Sequence, residues 1–261
     1  MSNKIEIETL NIGIKNGRND AVCINIPDDA TTALVSTKNK YAAAPVILNK
    51  INITKNNPKY LFINSGNANA CTGKTGMRNT IECTMLLAKK LNCQKEKILM
   101  FSTGIIGRQL PMKLISKKII NHSFKFNSSW ISASKSIMTT DAFNKYLNKT
   151  IMLGKKKISI KGMCKGAGMI EPNMATMLAF ISIDLHLNKT LLSQLLKKAV
   201  DSSFNCISVD GDMSTNDSVA IIATGENKDL NLKNKPQMLS KIQNELIQFC
   251  QSLAKMIVKD G

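Results

Sequence analysis

Four stretches of this 261-residue chain gather the small, hydroxyl-bearing and amide residues from which reactive loops are built: INSGNANACTGKTG (63–76), FSTGIIGRQLP (101–111), KGAGMIEPNMATML (165–178) and SVDGDMSTND (208–217). Loops of this composition display backbone N–H donors and small nucleophiles. Within the first, ANACTGKT (68–75) follows an apolar run and precedes a helix-like stretch, the setting of a phosphate-wrapping Walker loop. Gly73, Lys74 and Thr75 fit that pattern, but Ala68 stands where its opening Gly belongs. The acidic partner such a loop requires would be Asp184, at the end of MLAFISID. Apolar strands often end at Asp simply because Asp forms turns.

A Ser-His-Asp or Cys-His mechanism needs a histidine. The chain has two, His122 in NHSFKF and His186 after an apolar strand, and each reads more simply as a surface or packing residue. One covalent route needs no histidine. A Thr exposed as a new N-terminus can pass its hydroxyl proton to its own α-amine, whose ordinary pKa is about 7.7–8.0. Such a Thr requires a small residue before it and an apolar strand after it, and Ala175-Thr176 followed by MLAFISI meets both conditions. An ordinary strand Thr would look the same.

The elements that must hold these loops follow from hydropathy patterning. Apolar runs rich in β-branched residues predict strands at 5–14, 21–26, 45–53, 60–64, 97–103, 175–183 and 218–224, and TIMLGKKKISIKG (150–162) predicts a hairpin around Gly154. Met77, Ile81, Met85, Ala88 and Leu91 recur at helical spacing and predict a helix over 77–91. Further helices are expected over 111–120, 127–138, 188–203 and 236–257. Strands and helices mix without regular βαβ alternation, so the expected class is α+β, a sandwich of β-sheets flanked by helices. No linker or repeat divides residues 1–261.

Thirty-six Lys and Arg against eighteen Asp and Glu give a formal charge of +18, but the excess is scattered, with Lys far outnumbering Arg. Aromatic residues make up 5% and no groove-reading motif is present, which argues against a nucleic-acid partner. Seven Cys without a C-x-x-C pair, and only two His, support neither a disulfide framework nor a metal site. The N-terminus lacks an apolar signal core and no run reaches the ~18 apolar residues of a membrane span, so a cytoplasmic protein without membrane contact is expected.

KGAGMIEPNMATMLAF resembles the nucleophile signature of the bifunctional ornithine acetyltransferase/N-acetylglutamate synthase family of arginine biosynthesis. INSGNANACTG, FSTGIIG, IMTTDAFNK and SVDGDMSTND resemble further blocks of that family, in its order. The resemblance implies self-cleavage between Ala175 and Thr176, giving an α chain (1–175) and a β chain (176–261) that assemble as an α/β heterotetramer. Thr176 would accept the acetyl group of N-acetylornithine as an ester and pass it to glutamate. Acetyl-CoA would serve as a second donor in bifunctional members, with no bound cofactor. Thr103 and Gly104 match the family's oxyanion hole; Thr139, Lys165 and Thr176 match its substrate contacts. In the family the run matching LAKMIVKDG continues with a substrate-contacting Glu and a further domain, so a C-terminally truncated member is expected. An inactive or partner-completed fragment is the alternative that this expectation carries.

Overall fold

The structure, a computed structural model, describes residues 4–168, 177–228, 230, 232 and 235–261. In chain order the strands are β1 (Glu6–Leu10), β2 (Ala21–Asn25), β3 (Thr31–Ser36), β4 (Tyr60–Asn67), β5 (Ile98–Ile105), β6 (Lys145–Leu153), β7 (Lys156–Lys165), β8 (Leu178–Ile183) and β9 (Ser218–Ala223). The α-helices are α1 (Ala44–Lys55), α2 (Gly73–Leu91), α3 (Met112–Asn121), α4 (Trp130–Ser136), α5 (Lys189–Asp201) and α6 (Pro236–Asp260). The strands form two sheets, ordered β1-β2-β4-β5 and β3-β9-β8-β7-β6. Each sheet contains one parallel pair, β4 with β5 and β8 with β9, whose crossovers carry α2 and α5.

Side-chain alternation along the strands explains the layering, because successive residues point to opposite faces. On β4, Leu61 and Ile63 join Leu99, Phe101, Met163, Phe180 and Ile222 in the core between the sheets, where the Phe101 and Phe180 rings meet edge to face at 5.0 Å. Phe62, on the opposite face, packs with Met100 against Cys83 and Leu87 of α2 and Ile115 of α3. On the second sheet Ile160, Ile181 and Ile221 face away from the first and bury Leu192 and Leu196 of α5 and Leu246, Phe249 and Leu253 of α6. The result is the expected sandwich of two sheets between helices. Among the described residues no helix is long and apolar enough to cross a membrane.

Local chemistry fixes the helix ends. The Asn188 side chain accepts from the Leu191 N–H at 2.9 Å to start α5, and Ser129 accepts from Ser132 N–H at 3.0 Å to start α4, each satisfying a donor that the first turn leaves free. Asn92 ends α2 in the left-handed region at φ 51°.

Residues 45–53 correct the sequence expectation: they lie in α1, not in a strand. The buried side of α1 carries Asn49 and Asn52, whereas Ile47 and Ile51 are 42% and 48% exposed, so its hydropathy does not mark its inner face. Asn49 is satisfied there, donating to the Met100 carbonyl at 2.6 Å and accepting from the Met100 N–H at 2.8 Å. Met100 lies on the edge strand β5, and this pair covers two of its free backbone groups. The run 5–14 also proves shorter, with β1 ending at Leu10, and TTALVS (31–36) is a strand whose apolar run, Ala33–Val35, is only three residues long. The helix expected from residue 77 begins at Gly73.

Candidate active site

Thr103 and Gly104 lie at the end of β5, in register with Ser65 and Gly66 on β4. They line a cleft of about 630 Å³ together with Thr139 and Lys165, so four residues from three distant sequence blocks meet in one place. Ala175 and Thr176 lie outside the described residues. Their neighbour Met177 donates its backbone N–H to the Asp217 carboxylate at 2.8 Å, immediately before β8.

The sheet register produces that contact. Leu178 pairs with Ser218 in the parallel β8/β9 ladder, which brings the residues before them, Met177 and Asp217, side by side. Asp217 is fully buried; its other carboxylate oxygen has no hydrogen-bond partner among the described residues. Burial pushes its carboxyl up to about 8, against smaller downward effects of the Met177 and Ser214 hydrogen bonds and of Lys165. Asp217 closes SVDGDMSTND, yet its type and spacing alone do not distinguish it from the other two Asp of that block.

Asp141 organises the opposite approach to the cleft. One oxygen accepts from the Gly166 N–H at 2.7 Å and from Lys145 Nζ at 2.8 Å; the other accepts from the Thr139 N–H at 2.9 Å and lies 4.0 Å from Lys165 Nζ. Lys145 is fully buried and also donates to Asp260, near the end of α6. Burial works to raise the Asp141 carboxyl, but the Lys165 charge and the hydrogen bonds from Lys145, Gly166 and Thr139 together hold it below the ordinary carboxylate value. Lys165 is shifted down by burial, with Asp141 and Asp217 acting in the other direction. Thr139 and Lys165 are therefore set by one buried carboxylate.

A third wall was not apparent from the sequence. The buried Asp20 carboxylate accepts from the N–H groups of Ile12 (2.6 Å), Ile14 (2.6 Å) and Lys15 (2.8 Å), folding residues 12–20 over the end of β4. Lys15 and Arg18 thereby reach the cleft, which Asp210 and Asp212 also line.

The segment 67–76 scaffolds the cleft and leaves no phosphate cradle. Asn67 donates to the Arg108 and Gln109 carbonyls, both at 3.2 Å; Asn69 donates to Gly76 O at 3.0 Å and Thr80 Oγ1 at 2.7 Å. The Thr72 hydroxyl donates to Asn69 Oδ1 at 2.9 Å, so the polar side chains of this segment bond to one another. Lys74 is exposed and outside the cleft. Asp184 ends a strand of the other sheet and accepts from the Ser159 N–H at 2.6 Å. The two parts of a Walker site are thus on different sheets. His122 binds Glu8 at 2.9 Å as a packing group and does not line the cleft.

Comparison with known proteins places these features in context. The ArgJ family profile matches residues 6–261. The arginine biosynthesis bifunctional protein ArgJ, mitochondrial, of Dictyostelium discoideum is 42% identical over 252 residues, covering 95% of this chain and 57% of that protein. The glutamate N-acetyltransferase of Methanocaldococcus jannaschii is 42% identical over 255 residues, covering 95% of this chain and 62% of that protein. The chain thus spans about three fifths of the length of these curated relatives. The crystal structure of Mycobacterium tuberculosis ornithine acetyltransferase complexed with ornithine superposes with a TM-score of 0.52 at 28% identity, covering 64% of this chain and 91% of that one.

Proposed function

The chain belongs to the ArgJ family, and on that premise we propose that it transfers an acetyl group from N-acetylornithine to glutamate through an ester on Thr176. The Thr176 hydroxyl attacks the acetyl carbonyl, its own freed α-amine takes the proton, and the amide C–N bond breaks to release ornithine. The glutamate amine then attacks the ester and restores the hydroxyl. Thr103 Oγ1 and the Gly104 N–H carry the developing oxyanion, a role in which one donor is worth ~10²–10³ in rate. Thr139 and Lys165 contact the substrate. Acetyl-CoA serves as a second acetyl donor, and the cut pieces pair as two α and two β chains.

The observation that carries this reading is the meeting of Thr103, Gly104, Thr139 and Lys165 in one cleft. The anchoring of Met177 by Asp217 supports it, because it fixes the backbone one peptide bond beyond Thr176.

Intact mass of the purified chain tests the reading. Two pieces meeting between Ala175 and Thr176, a single uncut piece for Thr176→Ala, and transfer of labelled acetyl from N-acetylornithine to glutamate are expected. An uncut wild-type chain that transfers no acetyl would overturn it.

A further inference from the structure

Lys15 is the cation whose stem lies against the oxyanion strands. A Cβ built on Gly66, the register partner of Gly104, would stand 3.2 Å from Lys15 Cγ and 3.5 Å from its Cε. Its ammonium then donates to the Met138 carbonyl at 2.5 Å and, more weakly, to the Ser136 carbonyl at 3.5 Å, beside Thr139. Lys15 thus bridges from the strand pair bearing Gly104 to the segment bearing Thr139. An ammonium has three donors, and among the described residues these two carbonyls take two of them.

Three cations, Lys15, Arg18 and Lys165, line the cleft against two carboxylates, Asp210 and Asp212, which leaves its lining net positive. Burial, then the neighbouring Arg18, push the Lys15 ammonium down to about 8, with Lys165 adding to the effect and Asp20 and Asp141 opposing it. The Asp20 carboxylate is committed to three backbone N–H groups. An incoming carboxylate would stabilise this crowded positive charge.

Substrate geometry says which carboxylate. In an N-acyl α-amino acid the carboxylate is separated from the acyl carbonyl only by the amide nitrogen and Cα. A substrate with its carbonyl at Thr103 and Gly104 must therefore place its α-carboxylate beside those strands, where the Lys15 stem lies. We propose that Lys15, with Arg18 beside it, receives the α-carboxylate of the N-acetylated substrate and makes the site selective for N-acetyl amino acids over acetylated amines. The assignment rests on the acetyl-transfer reading and adds a specificity residue to it.

Calorimetric binding of N-acetylornithine and of its α-carboxamide, to the whole chain and to Lys15→Met and Lys15→Arg, tests the assignment. A charge-assisted hydrogen bond of ordinary strength corresponds to about 10- to 100-fold in affinity. The wild type is expected to prefer the acid by about that factor, Lys15→Met to lose the preference by weakening for the acid alone, and Lys15→Arg to retain part of it. A merely structural role through Met138 and Ser136 would weaken both ligands equally. That result, or a wild type that binds acid and amide alike, would overturn the Lys15 assignment while leaving acetyl transfer standing. A wild type that binds neither ligand would overturn both.

Discussion

Gly104 and Gly66 face each other across the parallel strands β4 and β5 so closely that a Cβ on Gly104 would stand 2.6 Å from Gly66 Cα and from Asn67 N. Gly104 also holds φ at +129°, where L side chains rarely go. Gly104→Ala is therefore expected to push the strand ends apart, costing about 1–3 kcal/mol from backbone strain and overpacking. It should also remove most acetyl transfer, because the displaced N–H is the proposed oxyanion donor. Thermal melting and initial rates check this. Wild-type values for both would exclude the contact.

Asp217 predicts a pH dependence. Its carboxyl is raised to about 8 in the fold, against an ordinary value of about 3.9 in the unfolded chain. The native state therefore keeps a proton that the unfolded state gives up. The stability this confers is fully present below about pH 4 and drains as pH rises through about 8. Asp217→Asn can still accept from Met177 N–H but does not titrate. The variant should gain on the wild type by a few kcal/mol between about pH 4 and pH 8. Urea midpoints of both proteins at about pH 5 and pH 8 measure it; a difference independent of pH would show that the carboxyl is not held neutral.

Lys145 is fully buried between Asp141 and Asp260, so Lys145→Met leaves the buried Asp260 carboxylate without its cation and Asp141 with only Lys165, 4.0 Å away. Breaking a buried pair in this way typically costs about 3–5 kcal/mol. Denaturant unfolding should show a loss of that order. A loss below about 1 kcal/mol would mean that water reaches the cluster.

Asn49→Ala tests the amide that covers the edge of β5. It strips partners from the Met100 N–H and carbonyl, each left unpaired at about 1–3 kcal/mol where water cannot replace them. The expected outcomes are a lowered urea midpoint and faster hydrogen exchange at the Met100 amide. Unchanged exchange would place the strength of that edge elsewhere.

The parts of this molecule legible in the sequence are those where hydropathy and position coincide. The runs at 60–64, 97–103 and 218–224 lie in β4, β5 and β9, and the stripe over 236–257 lies within α6, because in each the apolar side is the buried side. On α1 the two diverge: its inner face carries Asn49 and Asn52, and what makes them fit is a strand edge that one-dimensional reading does not see. The site behaves in the same way. Thr103, Gly104, Thr139 and Lys165 could be named through a resemblance, and they share a cleft. Lys15 and Asp217 could not, since one depends on the Asp20-bound fold of residues 12–20 and the other on the β8/β9 register.

Lys145 and Asp260 are 115 residues apart in the chain, and this separation sets a schedule. As the polypeptide leaves the ribosome, Thr139, Asp141 and Lys165 are all made while the carboxylate that completes their ion cluster is still untranslated. The cleft cannot reach its final electrostatic state before α6 has been synthesised and laid across the second sheet. On the proposed function, the cut between Ala175 and Thr176 would wait for α6, with β7 and β8 on either side of it already paired in one sheet.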